Sequence, residues 1–119
     1  MVGDAAAEAL ARALGDNTTL QELSLWGTGI GNAGAKSLAD ALKQNKVLKN
    51  LWLGECEEIG DVGASALMEA LSVNPTLDQL ALVMTSVSEE LQDEIETVVA
   101  TRREERALSE SGRLPVDAS

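Results

Sequence analysis

The feature that most constrains this chain is a pattern that returns twice at nearly fixed spacing. Leu20-x-x-Leu23-x-Leu25 recurs as Leu48-x-x-Leu51-x-Leu53 and again as Leu77-x-x-Leu80-x-Leu82, in steps of 28 and 29 residues. A second block follows the same steps. Gly31-Asn32-Ala33-Gly34-Ala35 running to Leu38 and Leu42 matches Gly60-Asp61-Val62-Gly63-Ala64 running to Leu67 and Leu71. It also matches Gly3-Asp4 running to Leu10 and Leu14 near the N-terminus. Each copy ends on Asn17, Asn45 or Asn74. A period of this length marks an array in which each unit buries its apolar face only against its neighbours.

Each unit reads as one short strand and one helix. Leu23 and Leu25 alternate, so both point to one face of a strand, and Leu20 is expected to enter the same core from the preceding turn. In the second block Ala35, Leu38 and Leu42 share one helix face. Asp4, Asn32 and Asp61 are expected to cap the N-termini of their own helices, because a side-chain oxygen can accept a first-turn N–H. Gly34 and Gly63 are expected to let the helix approach the strand. Asn17, Asn45 and Asn74 suit a left-handed turn that stops a helix. The extra residue of the second interval falls in Gly54-Glu55-Cys56-Glu57-Glu58, a loop where insertion is tolerated.

LxxLxL followed by an Asn/Cys-like position and Ile resembles the leucine-rich repeat. The period of about 28 residues and the G-N/D-x-G-A-x-x-L-x-x-A-L helix resemble its ribonuclease-inhibitor-like subclass, which includes the repeat arrays of NOD-like receptors and RanGAP. The resemblance implies an α/β fold, a short horseshoe (right-handed β-α superhelix) with parallel concave strands and convex helices. Domain boundaries follow: a leucine-rich repeat domain over 1–108 with a partial first repeat at 3–19, full repeats at 20–47 and 48–76, and a last strand and closing helix at 77–108. A helix started by Ser88 is expected over 88–107. Glu89, Glu90, Glu94 and Glu96 would lie on its outer face and Arg102, Arg103 and Arg106 toward its end. Residues 109–119 read as a disordered tail.

Composition narrows the function. The chain of 119 residues has no His, Phe or Tyr, a single Cys, two Trp and a formal net charge of −11. Without His there is no Ser-His or Cys-His pair within the chain, and one Cys excludes a CxxC metal site. The acidic balance argues against nucleic acid and anionic membrane as partners. Gly27-Thr28-Gly29-Ile30-Gly31 lacks the Gly-Lys-Ser/Thr of a phosphate loop and reads as the repeat's own turn. Glu55, Glu57, Glu58 and Asp61 read as a solvated acidic loop, with a weak cation site as the alternative. Cys56 reads as a buried residue at the Asn/Cys position of the repeat. No catalytic residue, metal ligand or cofactor emerges. With no basic n-region at Met1-Val2-Gly3-Asp4 and no long apolar run, the expected location is cytoplasmic.

The residues between the leucines are expected to face solvent across the sheet. They are Gln21, Glu22, Ser24 and Trp26 on the first strand, Lys49, Asn50, Trp52 and Gly54 on the second, and Asp78, Gln79, Ala81 and Val83 on the third. Both tryptophans therefore fall on the exposed face, and Trp is enriched at interface hot spots. The expected function is a non-enzymatic module binding a protein partner through Trp26, Trp52, Glu22, Ser24, Lys49, Asn50, Asp78, Gln79 and Val83. Three alternatives stand beside it: a regulatory fragment of a GTPase-activating protein, one of a NOD-like sensor, and an architectural piece of a longer array. Self-association through the strand edge at Leu20–Leu25 is a further expectation.

Overall fold

The computed structural model describes residues 3–110. Helix α1 (Gly3–Asp16) leads into strand β1 (Glu22–Ser24), helix α2 (Asn32–Leu42), β2 (Asn50–Trp52), α3 (Asp61–Leu71), β3 (Gln79–Ala81) and α4 (Glu89–Glu110). The three strands pair in parallel in chain order, with Leu23, Leu51 and Leu80 in register. Their leucines and the inward residues of the helices form one core, which includes Leu51, Leu53, Ile59, Leu67, Leu77 and Val99. Parallel neighbours at this spacing follow from the period itself, since each helix is the crossover that returns the chain to the start of the next strand.

The glycines of the repeat act between helices. A methyl group at Gly34 would lie 2.6 Å from Asp4 Oδ1 and 3.0 Å from the Ala7 Cβ of α1. At Gly63 it would lie 2.8 Å from Asn32 Oδ1 and 2.9 Å from the Ala35 Cβ of α2. The close approach is thus to the helix of the preceding unit and, at Gly34, also to Ile30 of its own turn (2.7 Å), which corrects the expectation of a strand contact. At the same position α4 carries Leu91. Its side chain cannot fit such a seam, and α4 leans on β3 as well as α3.

The Asx residues that open the helices also reach across units. Asn32 and Asp61 do not cap their own helices: α2 and α3 are preceded by Gly31 and Gly60, without a side-chain cap. Asp4 Oδ1 instead accepts the N–H groups of Gly31 (2.7 Å) and Gly34 (2.9 Å) at the start of α2. Asn32 Oδ1 accepts those of Gly60 (2.9 Å) and Gly63 (2.8 Å) at the start of α3. Asp61 Oδ1 accepts the N–H of Ser88 at 2.7 Å, ahead of α4. The chemistry is that of an N-cap, supplied by the neighbouring unit because the helices stack side by side with their first turns level.

Asn17, Asn45 and Asn74 are not in the left-handed region, which corrects another expectation. Asn45 and Asn74 are buried and form a ladder. Asn74 Nδ2 donates to Leu42 O (2.7 Å) and Asn45 O (2.8 Å), while its Oδ1 accepts from Thr76 and Leu77 N–H. Asn45 repeats this one unit earlier, donating to Leu14 O at 2.8 Å and Asn17 O at 3.2 Å. Each amide thus ties the helix end and turn of the unit before it to its own turn, and among the described residues no buried side-chain nitrogen or oxygen is left unpaired. The left-handed position lies elsewhere. Gly27 (φ 67°), Glu55 (φ 57°) and Met84 (φ 60°) occupy one equivalent site in the strand-to-helix turn, and only the first is a glycine.

The two ends differ from the middle. Leu48 and Leu77 are 0% exposed, but Leu20 is 39% exposed, since among the described residues no strand lies beside β1 on that side. The expected core role of Leu20 is therefore not met. At the other end α4 starts at Glu89 and runs through Ser109 to Glu110, further than the sequence suggested. The rest of the expected tail lies outside the described residues. The α4 arginines turn inward onto the last unit. Arg102 donates to Leu71 O (2.6 Å) and Leu77 O (3.1 Å), Arg103 to Asp78 O (2.7 Å) and Arg106 to Pro75 O (2.6 Å). Leu71 O is the equivalent of Leu14 O and Leu42 O, so Arg102 stands in for the missing next asparagine. Burial, with Arg106 nearby, lowers the Arg102 pKa below its ordinary value.

Candidate functional site

The face of the sheet opposite the helices has three levels. Glu22, Asn50 and Gln79 share the first, and Ser24, Trp52 and Ala81 share the second. Hydrogen bonds from Gly27 N to Gly54 O and from Glu55 N to Val83 O align Trp26, Gly54 and Val83 as the third. Of the residues expected to face solvent, Gln21, Glu22, Ser24, Trp26, Lys49, Gln79 and Val83 are exposed, Asn50, Trp52, Asp78 and Ala81 are half-buried, and Gly54 is buried.

Trp26 carries the geometry. Its six-membered ring lies directly against the Cα of Gly54, where a Cβ would overlap Cζ3. The indole lies across β2's extension because Gly54 leaves the space, and it is still 44% exposed. Val83 follows in the same row at 49% exposed, and Met84 beside it is 66% exposed. Trp52 is half-buried in the row below, between the small residues Ser24 and Ala81. Two indoles and Val83 thus stand on adjacent rows of this face, and the exposed Met84 follows Val83 in the chain. Met84 was absent from the sequence reading; its alignment with Gly27 and Glu55, on the tip of the turn, is the signal that could have found it.

The polar surround is at the lower level. Glu22 and Gln79 are exposed, Lys49 is exposed and Asn50 is half-buried. Asn50 Nδ2 donates to Glu22 Oε2 at 3.2 Å across the strands. Asp78 departs from expectation. It is drawn into an ion pair with Arg106 Nη1, which belongs to the closing of the array. Asp78 is therefore engaged within the fold rather than presented for contact.

The remaining candidate sites are structural. Cys56 is fully buried, and its thiol donates to Leu25 O at 3.4 Å. Thr28 and Thr85 hold the equivalent positions and donate to Leu25 O (2.7 Å) and Leu82 O (2.6 Å). The segment 27–31 is thus the repeat turn, with its hydroxyl turned inward. Glu55, Glu57, Glu58 and Asp61 are exposed. Among the described residues no group of His, Cys, Asp and Glu is arranged to hold a metal ion, and no helix is long and apolar enough to cross a membrane.

Comparison with known proteins agrees with this architecture. The family model described as Leucine Rich repeat matches residues 16–39 and 44–68. No curated protein matches the chain in sequence. Among solved structures, Leiomodin-1 Actin-Binding Site 2 (ABS2) is similar with a TM-score of 0.67 at 18% identity, over 91% of this chain and 80% of that one. The α/β fold, with three parallel strands and four helices among the described residues, resembles that of a short leucine-rich repeat protein.

Proposed function

We propose that the chain is a non-enzymatic protein–protein interaction module that binds its partner on the sheet face opposite the helices. The single observation that carries this reading is the Trp26 indole, spread over Gly54 and still 44% exposed, continuous in its row with exposed Val83. A large aromatic held rigidly against backbone loses little freedom on binding and offers a wide apolar contact, the character of an interface hot spot. Glu22, Ser24, Lys49, Asn50 and Gln79 supply the polar rim that orients a partner. The finer features belong to the same reading: the ribonuclease-inhibitor-like subclass, a horseshoe curvature that makes this face concave, and a cytoplasmic setting.

The structural likeness to an actin-binding site makes actin the first partner to test. Binding is measured by co-sedimentation with filaments and by affinity for monomeric actin, with Trp26→Ala and Trp52→Ala as probes. The reading expects loss of binding in the double variant with circular dichroism unchanged. A double variant that binds as well as the parent removes this face as the site. If actin does not bind, the same pair of variants is carried to affinity capture. A partner retained equally by both proteins then overturns the proposal.

A further inference from the structure

The indole of Trp26 lies flat on the backbone. A Cβ built on Gly54 would sit 2.2 Å from Cζ3 and 2.5 Å from each of its ring neighbours, Cε3 and Cη2. A point off the edge of the ring would be clearly further from the two neighbours than from Cζ3. The near-equal distances therefore place Gly54 beneath the face of the ring. One face of the indole is occupied by backbone, and the residue is still 44% exposed, so the other face is open to solvent.

A carboxylate stands next to this platform. Glu55 follows Gly54, and its Oε1 lies 4.0 Å from the place a Gly27 Cβ would take. It therefore reaches back across the row to the residue directly after Trp26, where Gly27 N is bonded to Gly54 O. Glu55 is exposed, and among the described residues its carboxylate has no hydrogen-bond or ion-pair partner. Two other acids of this face are already engaged: Glu22 accepts from Asn50, and Asp78 pairs with Arg106. The repeat itself asks for no acid at position 55, since the equivalent residues are Gly27 and Met84. Lys49 lies before β2 at the opposite end of the rows.

We infer that the partner presents an arginine to this place, its guanidinium stacked on the open face of Trp26 and donating to Glu55. The inference rests on the proposed function and adds the chemistry of the contact. A proline, an aromatic ring or a cation can each lie on a flat indole, but only the cation also answers the carboxylate. Between the two basic side chains the geometry selects arginine. Its guanidinium is planar and weakly hydrated, so it can lie parallel to the ring while its edge N–H groups reach an acid beside the ring. An ammonium is a compact, strongly hydrated charge without that second direction. The net charge of −11 favours the approach of a basic segment from a distance.

The test titrates the full chain, labelled with nitrogen-15, with blocked pentapeptides that differ only in a central Arg, Lys, Pro or Phe between alanines. The readout is the Nε1–H resonance of Trp26 up to millimolar peptide. The Arg peptide is expected to bind about threefold or more tightly than the Lys peptide, and more tightly than the Pro and Phe peptides. This comparison is made on the parent chain and needs no variant to fold. Glu55→Gln is expected to weaken the Arg peptide about three- to fivefold and to leave the Phe peptide unchanged. Asp40→Asn removes the same charge from an exposed position of α2, on the other side of the sheet, and should have little effect. An Arg peptide that binds no better than the Pro or Phe peptide overturns the inference. So does one that Glu55→Gln and Asp40→Asn weaken equally, or one that shifts helix amides and leaves Trp26 unmoved. The wider reading fails separately, when the Trp26→Ala, Trp52→Ala double variant keeps its partner.

Discussion

The two ends of the array show how the same repeat behaves with and without a neighbour. At the C-terminal end α4 takes the place of a fourth unit's helix: its Arg102 reaches Leu71 O, the carbonyl that the next asparagine would have satisfied, and Arg102 and Arg106 also hold Leu77 O and Pro75 O. At the N-terminal end nothing performs that task among the described residues. Asn17 uses its Oδ1 on its own turn, at Thr19 and Leu20 N–H, and Leu20 is left at the surface. The first leucine of the repeat motif is therefore a core residue only where a preceding unit covers it, whereas Leu25 of the same copy is buried without one. Burial in this fold is a property of position in the stack as much as of sequence.

The largest expected effect breaks that comparison directly. Leu48→Ala is expected to destabilise by about 2–5 kcal/mol, the range for emptying a packed core site. Leu20→Ala, at the equivalent position on the open end, is expected to change stability by less than about 1 kcal/mol. Urea unfolding of the two variants measures the difference, and equal losses would mean that the first unit is as enclosed as the second. At the closed end, Arg102→Ala removes donors from Leu71 O and Leu77 O. It is expected to lower stability by roughly 1–3 kcal/mol, and amide exchange should locate the loss in α4 and β3. Arg102→Lys retains the charge but not the planar fork, and should recover only part of it.

Smaller effects sharpen the account of the middle. Asn32→Ala leaves the N–H groups of Gly60 and Gly63 without their acceptor and should lower stability by about 1 kcal/mol. Its signature is faster exchange in the first turn of α3, not of α2; the reverse would restore the cap to its own helix. Met84→Gly relieves a left-handed backbone at a surface turn and should raise stability by up to about 1 kcal/mol, read as a higher urea midpoint. The same residue follows the exposed Val83 in the chain, so a stabilised variant that binds less well would show Met84 to be part of the contact surface.

Much of this molecule was legible in its residues. The strand leucines, Ile30 and Ile59, Ile95 and Val99, and the outward row Ser24, Trp52 and Ala81 all sit where the repeat alignment places them. What escaped was direction between units. The alignment recognises Asn32 and Asp61 as capping residues, but a spacing along one chain does not say which of two parallel helices receives the bond. It recognises Gly34 and Gly63 as sites of close approach without saying to what. Asp78 reads as an outward residue by its place in the motif, and is withdrawn only because α4 brings Arg106 over it.

The sequence by itself therefore determined the period, the strand-plus-helix unit, the identity of the core and the side of the sheet on which both tryptophans fall. These follow from apolar spacing and local backbone preference, which act within a few residues. Tertiary structure alone decided which helix each Asx residue caps, which carbonyls the arginines of α4 satisfy, how Trp26 settles over Gly54 and which leucine remains uncovered. Those outcomes depend on groups about one repeat apart in the chain, brought together only when the units stack. No local pattern holds that information.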